Sequence, residues 1–393
     1  MSQNAGHHIL SARTMERRFN KDLLSLIVWG VMLTTNILFV SKYIPRIGID
    51  PIYASFTYSV LFIGLVWVYR RTLKKYITER IARVVSLCLA VGIIGIIACA
   101  ILFIDPLTIR VDRWSATTYF LDALFEGTYP YGVHTHVSES NFPSPFPLWH
   151  YLNIPFWLMG DVGWIQAFML LVFLGSIYLF SHSWRVVLSA TLLLCISPSY
   201  WWEIATRSDG LSNALLVCSC ILLMERFDIQ MNNRWWLVAI IAGCIASTRL
   251  SAVIPIALYL FKPWLEVDIK KEIGFICVAL GVVVVAFAPY IFWDTVSWVF
   301  FSRNPFMSQT GPGNTWILVV MMLIAIWIAY KKQTLYYYFC TTSIYMFIFM
   351  LVSQFGYIIQ TGAPYTLFDV RCDISYFTLT IPFAIIALIY QKE

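Results

Sequence analysis

The chain has 393 residues, 60% of them hydrophobic, 17% aromatic and only 12% charged, with a mean hydropathy of +0.73. A water-soluble core with a polar shell cannot be built from that composition, so the sequence reads as an integral membrane protein. The formal net charge of +6 does not point to nucleic acid, because the basic residues cluster between apolar runs, where orientation in a bilayer accounts for them.

In chain order, the opening stretch MSQNAGHHILSARTMERRFNKD is polar and basic and leads into an apolar run without a small-residue cleavage site. An uncleaved first helix is expected, not a signal peptide. Apolar runs of about 20 residues, with some shorter, begin near Leu23, Ile52 and Val84, the third ending at Ile104. After a long polar interval come runs near 164–181, 185–197, 211–224, 235–247, 251–261, 273–292, 315–330, 335–352 and 375–390, which gives about twelve crossings. The runs at 185–197 and 251–261 are short for a bilayer and imply tilt or partial re-entry. Eight of the nine cysteines lie inside apolar runs and only Cys372 falls in a predicted outer loop, so no disulfide framework or zinc spacing follows.

With the N-terminus placed in the cytoplasm, 19 of the 27 Lys and Arg fall on the inner side. The eight outer ones are Lys42, Arg46, Arg110, Arg113, Arg207, Arg249, Arg303 and Arg371. This bias favours both termini inside and the long interval outside. The outer loops also carry scattered carboxylates, among them Asp112, Glu203, Asp209, Asp294, Asp369 and Asp373. Isolated arginines kept on the disfavoured side, near helix ends and aromatics, suggest an anionic ligand at the outer face. Snorkelling, or pairing with a neighbouring Asp, is the plainer account of any single one.

The long interval runs from Asp105 to Tyr151. Within it, RWSATTYFLDALFEG has near-helical apolar spacing and ends at Gly127, and its length and mixed faces predict a helix lying along the interface. Asp122 and Glu126 are expected on its solvated face. Prolines 130, 143, 145 and 147 make the next stretch irregular. LWHYLNIPFWLMG is too short to cross and contains Pro155, so a second interfacial helix is expected; making it cross would move every later basic loop to the other side. No transporter-like repeat is apparent, and the whole of 1–393 reads as one membrane domain.

The segments VDRWSATTYFLDALFEGTYPY and PSPFPLWHYLNIP, with ISPSYWWEIATRSDGLSNALL further on, resemble the GT-C superfamily of membrane glycosyltransferases. That group includes protein O-mannosyltransferases, lipid A aminoarabinose transferases and polyprenyl-phosphate-dependent mannosyltransferases of bacteria. The likeness covers roughly residues 84–262, with a looser echo in DVRCDISYFTLTIPFA, where the family often has an Arg-Tyr before a Pro-containing last helix. Two departures stand out: two extra helices precede the acidic loop, and Arg371 and Tyr376 are not contiguous. The resemblance divides the chain into an N-terminal tail and extra helix pair (1–83), a GT-C-like catalytic module (84–262) and variable C-terminal helices (263–393). It implies an all-α membrane fold of about twelve helices, with a large extracytoplasmic loop carrying two juxtamembrane helices. It further implies transfer of a sugar, with inversion, from a polyprenyl-phosphate donor to an envelope glycan, glycolipid or protein, in a multi-pass cell membrane of the bacterial inner-membrane kind.

Such a transfer needs a base for the acceptor hydroxyl, cations for the departing phosphate and an apolar groove for the lipid. Asp112 is the candidate base: it lies within about two helical turns of the membrane exit at Ile104, where the family has a catalytic Asp. Pairing with Arg113 or Arg110 is the alternative. Arg207, Arg249 and Arg371 are candidates for the phosphate, because a guanidinium can hold two of its oxygens and keeps its charge; Arg113 is a further substrate-binding candidate. Asp209 matches the family's Asp and would orient the sugar or Arg207, or simply cap a helix. His134 and His136, two apart, would share one side of an extended strand and bind acceptor, headgroup or, in the minority reading, a divalent metal. Trp202, like Trp114, Trp149 and Trp201, would stack on a sugar or anchor the interface. Two other functions remain open. An O-antigen-type polymerase or ligase usually carries its large loop late in the chain, and a lipid-linked sugar flippase should line mid-membrane with charge, which this sequence scarcely does.

Overall fold

The computed structural model describes residues 2–69, 71, 74–310, 315–331, 334–362 and 373–390. The all-α expectation holds: the fold is 82% helix and has no strand among the described residues. Fifteen helices carry it. They are α1 (Ser2–Tyr43), α2 (Pro51–Val68), α3 (Glu79–Phe103), α4 (Arg113–Glu126), α5 (Pro147–Leu158), α6 (Trp164–Ser181), α7 (Trp184–Cys195) and α8 (Pro198–Thr206). Then follow α9 (Gly210–Arg226), α10 (Met231–Ala246), α11 (Leu250–Leu265), α12 (Ile269–Ile291), α13 (Thr315–Tyr330), α14 (Leu335–Thr361) and α15 (Ile381–Ile389).

Local chemistry sets several of their ends. The Asp50 carboxylate accepts from the backbone N–H groups of Ile52 (2.8 Å) and Tyr53 (3.2 Å), and Pro51 supplies a ready-made first turn for α2. Thr78, Asp268 and Thr334 cap α3, α12 and α14 in the same way. Gly127 ends α4 at φ 74°, a left-handed position that glycine takes without a Cβ clash.

Six helices are long and apolar enough to cross a membrane, or seven if α8 and α9, bent by 115° across a short break, are one broken span. Twelve is not reached by length, because five of the expected runs are helices of 9 to 16 residues, namely α7, α10, α11, α13 and α15. At 1.5 Å per residue, 16 residues cover roughly 24 Å, short of a hydrocarbon core of about 30 Å.

The last helix occupies the middle of the bundle. Ile381 and Phe383 to Ala387 are all at most 1% exposed, Pro382 between them is buried, and α15 packs against α1, α7, α9 and α14. A helix apolar all round suits either such a position or contact with lipid, and α15 takes the first. Around it α6 lies on α9, α3 on α7, and α10 on α12. Polar contacts gather at two ends. At one, Glu79 accepts from the Ser183 hydroxyl and the Trp184 N–H, both at 2.7 Å, and Lys271 donates to the Asn232 carbonyl at 3.2 Å. At the other lies the folded loop 105–151. The two ends share no ion pair among the described residues.

The loop is a compact cover. Helices α4 and α5, of 14 and 12 residues, stack Phe125 on Trp157 with ring centroids 4.7 Å apart. Asp122 is half-buried and accepts from the Trp157 indole at 2.8 Å. The expectation that Asp122 lies on a solvated face is therefore corrected: α5 covers that face of α4. Glu126 is exposed. Under the pair, Phe120, Tyr131, Phe146, Phe287 and Tyr290 form a separate aromatic core. Backbone bonds from Phe146 to Thr248 (2.9 Å) and from Leu148 to Ser247 (3.0 Å) tie the start of α5 to the α10–α11 junction.

Candidate functional site

Arg113, the first residue of α4, is 8% exposed and turns inward. Its Nη2 donates to Asp373 Oδ2 and to the Ser375 hydroxyl, each at 2.7 Å. Its Nη1 lies 4.0 Å from Asp209 Oδ1, and its guanidinium sits over the Tyr376 ring at 5.0 Å. Burial opposes its charge, but the carboxylates of Asp373 and Asp209 outweigh that and hold its pKa above the ordinary arginine value. Arg249, just before α11, donates to Asp209 as a buried ion pair. Glu203 of α8 accepts from the Leu211 N–H and the Thr378 hydroxyl, both at 3.1 Å. One buried network therefore joins α4, the α8–α9 corner, the start of α11 and the segment entering α15.

The corner itself is held from below. The Gln166 amide of α6 donates to the carbonyls of Glu203 and Ser208, both at 2.7 Å. Arg207 adopts a left-handed φ of 50°, which costs a non-glycine residue on the order of 1 kcal/mol. Its Nη2 caps the end of α3, donating to Ala100 (3.1 Å), Ile101 (2.9 Å) and Ile104 (2.8 Å), and its Nε is 3.3 Å from Asp161.

Among the sequence-derived candidates, Arg113, Asp209 and Arg249 come together. Arg207 points to α3 and Asp161. Asp209 precedes α9 but its side chain makes no capping bond, because it is turned to Arg249. Asp112 is half-buried next to Arg113, makes no ion pair among the described residues, and accepts from the Asn141 amide at 2.9 Å. His136 is taken up by α4: its Nδ1 is 2.6 Å from the Ser115 hydroxyl and its Nε2 2.9 Å from the Ile109 carbonyl. The His134 ring lies 4.8 Å from that of Phe142. No cluster of three His, Cys, Asp or Glu able to hold a metal occurs among the described residues. Trp202 packs against Phe39 and Tyr43 of α1, with ring centroids at 5.3 and 5.6 Å. Arg371, with Asp369 and Cys372, lies outside the described residues.

Four participants were not singled out from sequence. Asp161 sits in a short MGDVG turn that looks like an ordinary connection. Asp373 and Glu203 were visible only as outer-side charges, since their partners lie far along the chain. His150 was hidden in an apolar helix. It stacks on Phe120 at 3.6 Å, its Nε2 is 3.2 Å from the Pro145 carbonyl, and burial pushes its pKa down to about 3, so it is neutral. Around the Asp209–Arg249 pair several buried polar atoms find no hydrogen-bond partner among the described residues: Asp209 Oδ2, Arg249 Nε, Asn213 Nδ2 and His150 Nδ1. Fully enclosed polar atoms without partners are costly. With His150 neutral and its Nε2–H directed at the Pro145 carbonyl, the arrangement offers two donors (Arg249 Nε, Asn213 Nδ2) and two acceptors (Asp209 Oδ2, His150 Nδ1) to a polar group lodged beside ordered arginines.

No model of a known family, no curated protein and no solved structure matches this chain.

Proposed function

We propose that this protein is a membrane glycosyltransferase of the GT-C kind, moving a sugar from a polyprenyl-phosphate donor to an acceptor outside the cytoplasm. The observation that carries the reading is the buried Arg113–Asp209–Arg249 network, with polar atoms that lack partners among the described residues, directly beside a half-buried Asp112 that makes no ion pair among them. In the proposed step Asp112 takes the proton of the acceptor hydroxyl, whose oxygen attacks the anomeric carbon from the face opposite the phosphate. The bond from that carbon to the phosphate oxygen breaks, and the polyprenyl phosphate leaves with both electrons. Arg113 and Arg249 use guanidinium N–H groups not committed to their acids to meet the new charge. The carboxylates of Asp209 and Asp373 keep those side chains in place before the donor arrives. Arg207, held on α3, shapes the corner.

Twelve alternating crossings with both termini inside are part of this reading. Twelve helices correspond to the twelve apolar runs, and each ion pair joins residues that the charge bias assigns to the same side. Among the short members, α15 crosses where the bundle is buried in protein, while α13 presents most of its residues outward.

The test is direct transfer. Purified chain in lipid nanodiscs, given radiolabelled polyprenyl-phosphate hexoses and pentoses with a membrane extract as acceptor, should move label from the lipid to a product. Failure with every donor, together with transbilayer movement of the intact lipid, would replace the transferase with a flippase.

A further inference from the structure

The N-terminal helix pair lies outside the stretch that carries the family-like motifs, and it holds a groove that the proposed reaction does not use. Leu26, Trp29 and Leu33 of α1 face Phe62 and Trp67 of α2 across about 650 Å³, within the range of small-molecule sites. Trp29 and Phe62 meet edge to face at 5.8 Å and form its base. A Cβ added at Gly30 would meet nothing within 4 Å, so this glycine opens the groove and does not serve a close helix crossing. From Leu26 to Leu33 the groove runs roughly 10 Å along the helix, about a third of the hydrocarbon core and within one leaflet.

Arg71 closes one end. Its side chain is exposed and has no ion pair or hydrogen bond to any described residue. It belongs to the run RRTLKK, which brings Arg70, Lys74 and Lys75 into the same short segment. A juxtamembrane basic cluster attracts anionic headgroups, and a guanidinium holds phosphate oxygens in pairs. An apolar partner helix would fill the walls but leave Arg71 without an acid.

We propose that this groove between α1 and α2 binds an anionic phospholipid of the cytoplasmic leaflet, one acyl chain lying over Gly30 and the headgroup phosphate on Arg71. The site is independent of the transfer chemistry; its assignment to the cytoplasmic leaflet rests on the proposed topology with both termini inside.

The experiment uses the full chain in nanodiscs containing trace photoactivatable phosphatidylglycerol or phosphatidylcholine, with diazirines in the acyl chain, and reads labelled peptides by mass spectrometry. The expected result is labelling of the peptides around residues 26–33 and 62–67, at least about fivefold stronger with phosphatidylglycerol. Arg71→Gln should abolish that preference while leaving the phosphatidylcholine signal unchanged. Gly30→Leu, which fills open space on a helix and leaves the fold intact by thermal melting, should suppress both signals. Equal labelling by the two lipids in the native chain would mean ordinary boundary lipid and would overturn the proposal. So would a signal insensitive to both substitutions, displacement by polyprenyl phosphate but not by unlabelled phosphatidylglycerol, or protection of these peptides by a co-purifying polypeptide.

Discussion

Asp209 is the residue on which the buried network turns, because it faces both Arg249 and Arg113. Removing one partner of a buried pair leaves a charge with neither water nor counterion. Arg249→Gln should therefore destabilise the chain by on the order of 3 kcal/mol, and adding Asp209→Asn should recover part of that loss; a denaturant titration of the detergent-solubilised protein measures both. His150 gives a pH dependence. Folded, it is held near pKa 3, whereas unfolded it returns to about 6.5. Between these values the unfolded chain binds a proton that the folded chain refuses, so stability falls as pH drops below about 6.5. At pH 5 the cost is about 2 kcal/mol, and His150→Gln should flatten the decline in thermal midpoint between pH 7 and pH 5. From sequence the outward arginines and acids were legible as a set, because they break an apolar background. Their pairing was not: Arg113 meets Asp373 across 260 positions, and no local pattern encodes such a contact. His150 carried no signal, since WHYLN reads as the apolar face of a helix.

The helices themselves were legible, since each apolar run of the sequence became one. Their lengths were less so, because apolar composition marks where a helix is buried but not whether lipid or protein surrounds it. The 115° corner between α8 and α9 was hidden for a different reason. Ser208 and Asp209 look like an ordinary helix start, and it is the carbonyl cap from Arg207 to α3, the two hydrogen bonds from Gln166 and the Leu211 N–H bond to Glu203 that fix the bend. Close packing of α10 on α12 rests on Gly243, where an added Cβ would lie 2.7 Å from the Ala279 carbonyl oxygen and 2.8 Å from Val282 Cβ. Neither neighbour is a flexible side-chain end, so the helices must part. Small residues at such crossings let membrane helices approach. Gly243→Leu should cost about 1–3 kcal/mol and lower the thermal midpoint, while leucine at Gly281, where a Cβ meets nothing within 4 Å, should leave it nearly unchanged.

Across the whole molecule, the chain closes on itself: its last helix fills the centre against its first, and a loop from its first third covers one end. Two opposed ends with separate polar contacts make a prediction about sidedness. In a cysteine-depleted background, Ser297→Cys should react with a membrane-impermeant maleimide from outside intact cells, and Lys271→Cys only after permeabilisation; the reverse pattern would invert the proposed topology. The cover and the corner together surround the network in which transfer is proposed, with Asp112 at the junction between them. The most direct measurement is therefore the rate of sugar transfer from radiolabelled polyprenyl-phosphate donor by Asp112→Asn, beside native protein of equal thermal stability. A general base contributes about 10²–10⁴-fold, so the account predicts a loss of at least about 100-fold with the fold intact, and a rate equal to that of the native chain would contradict it.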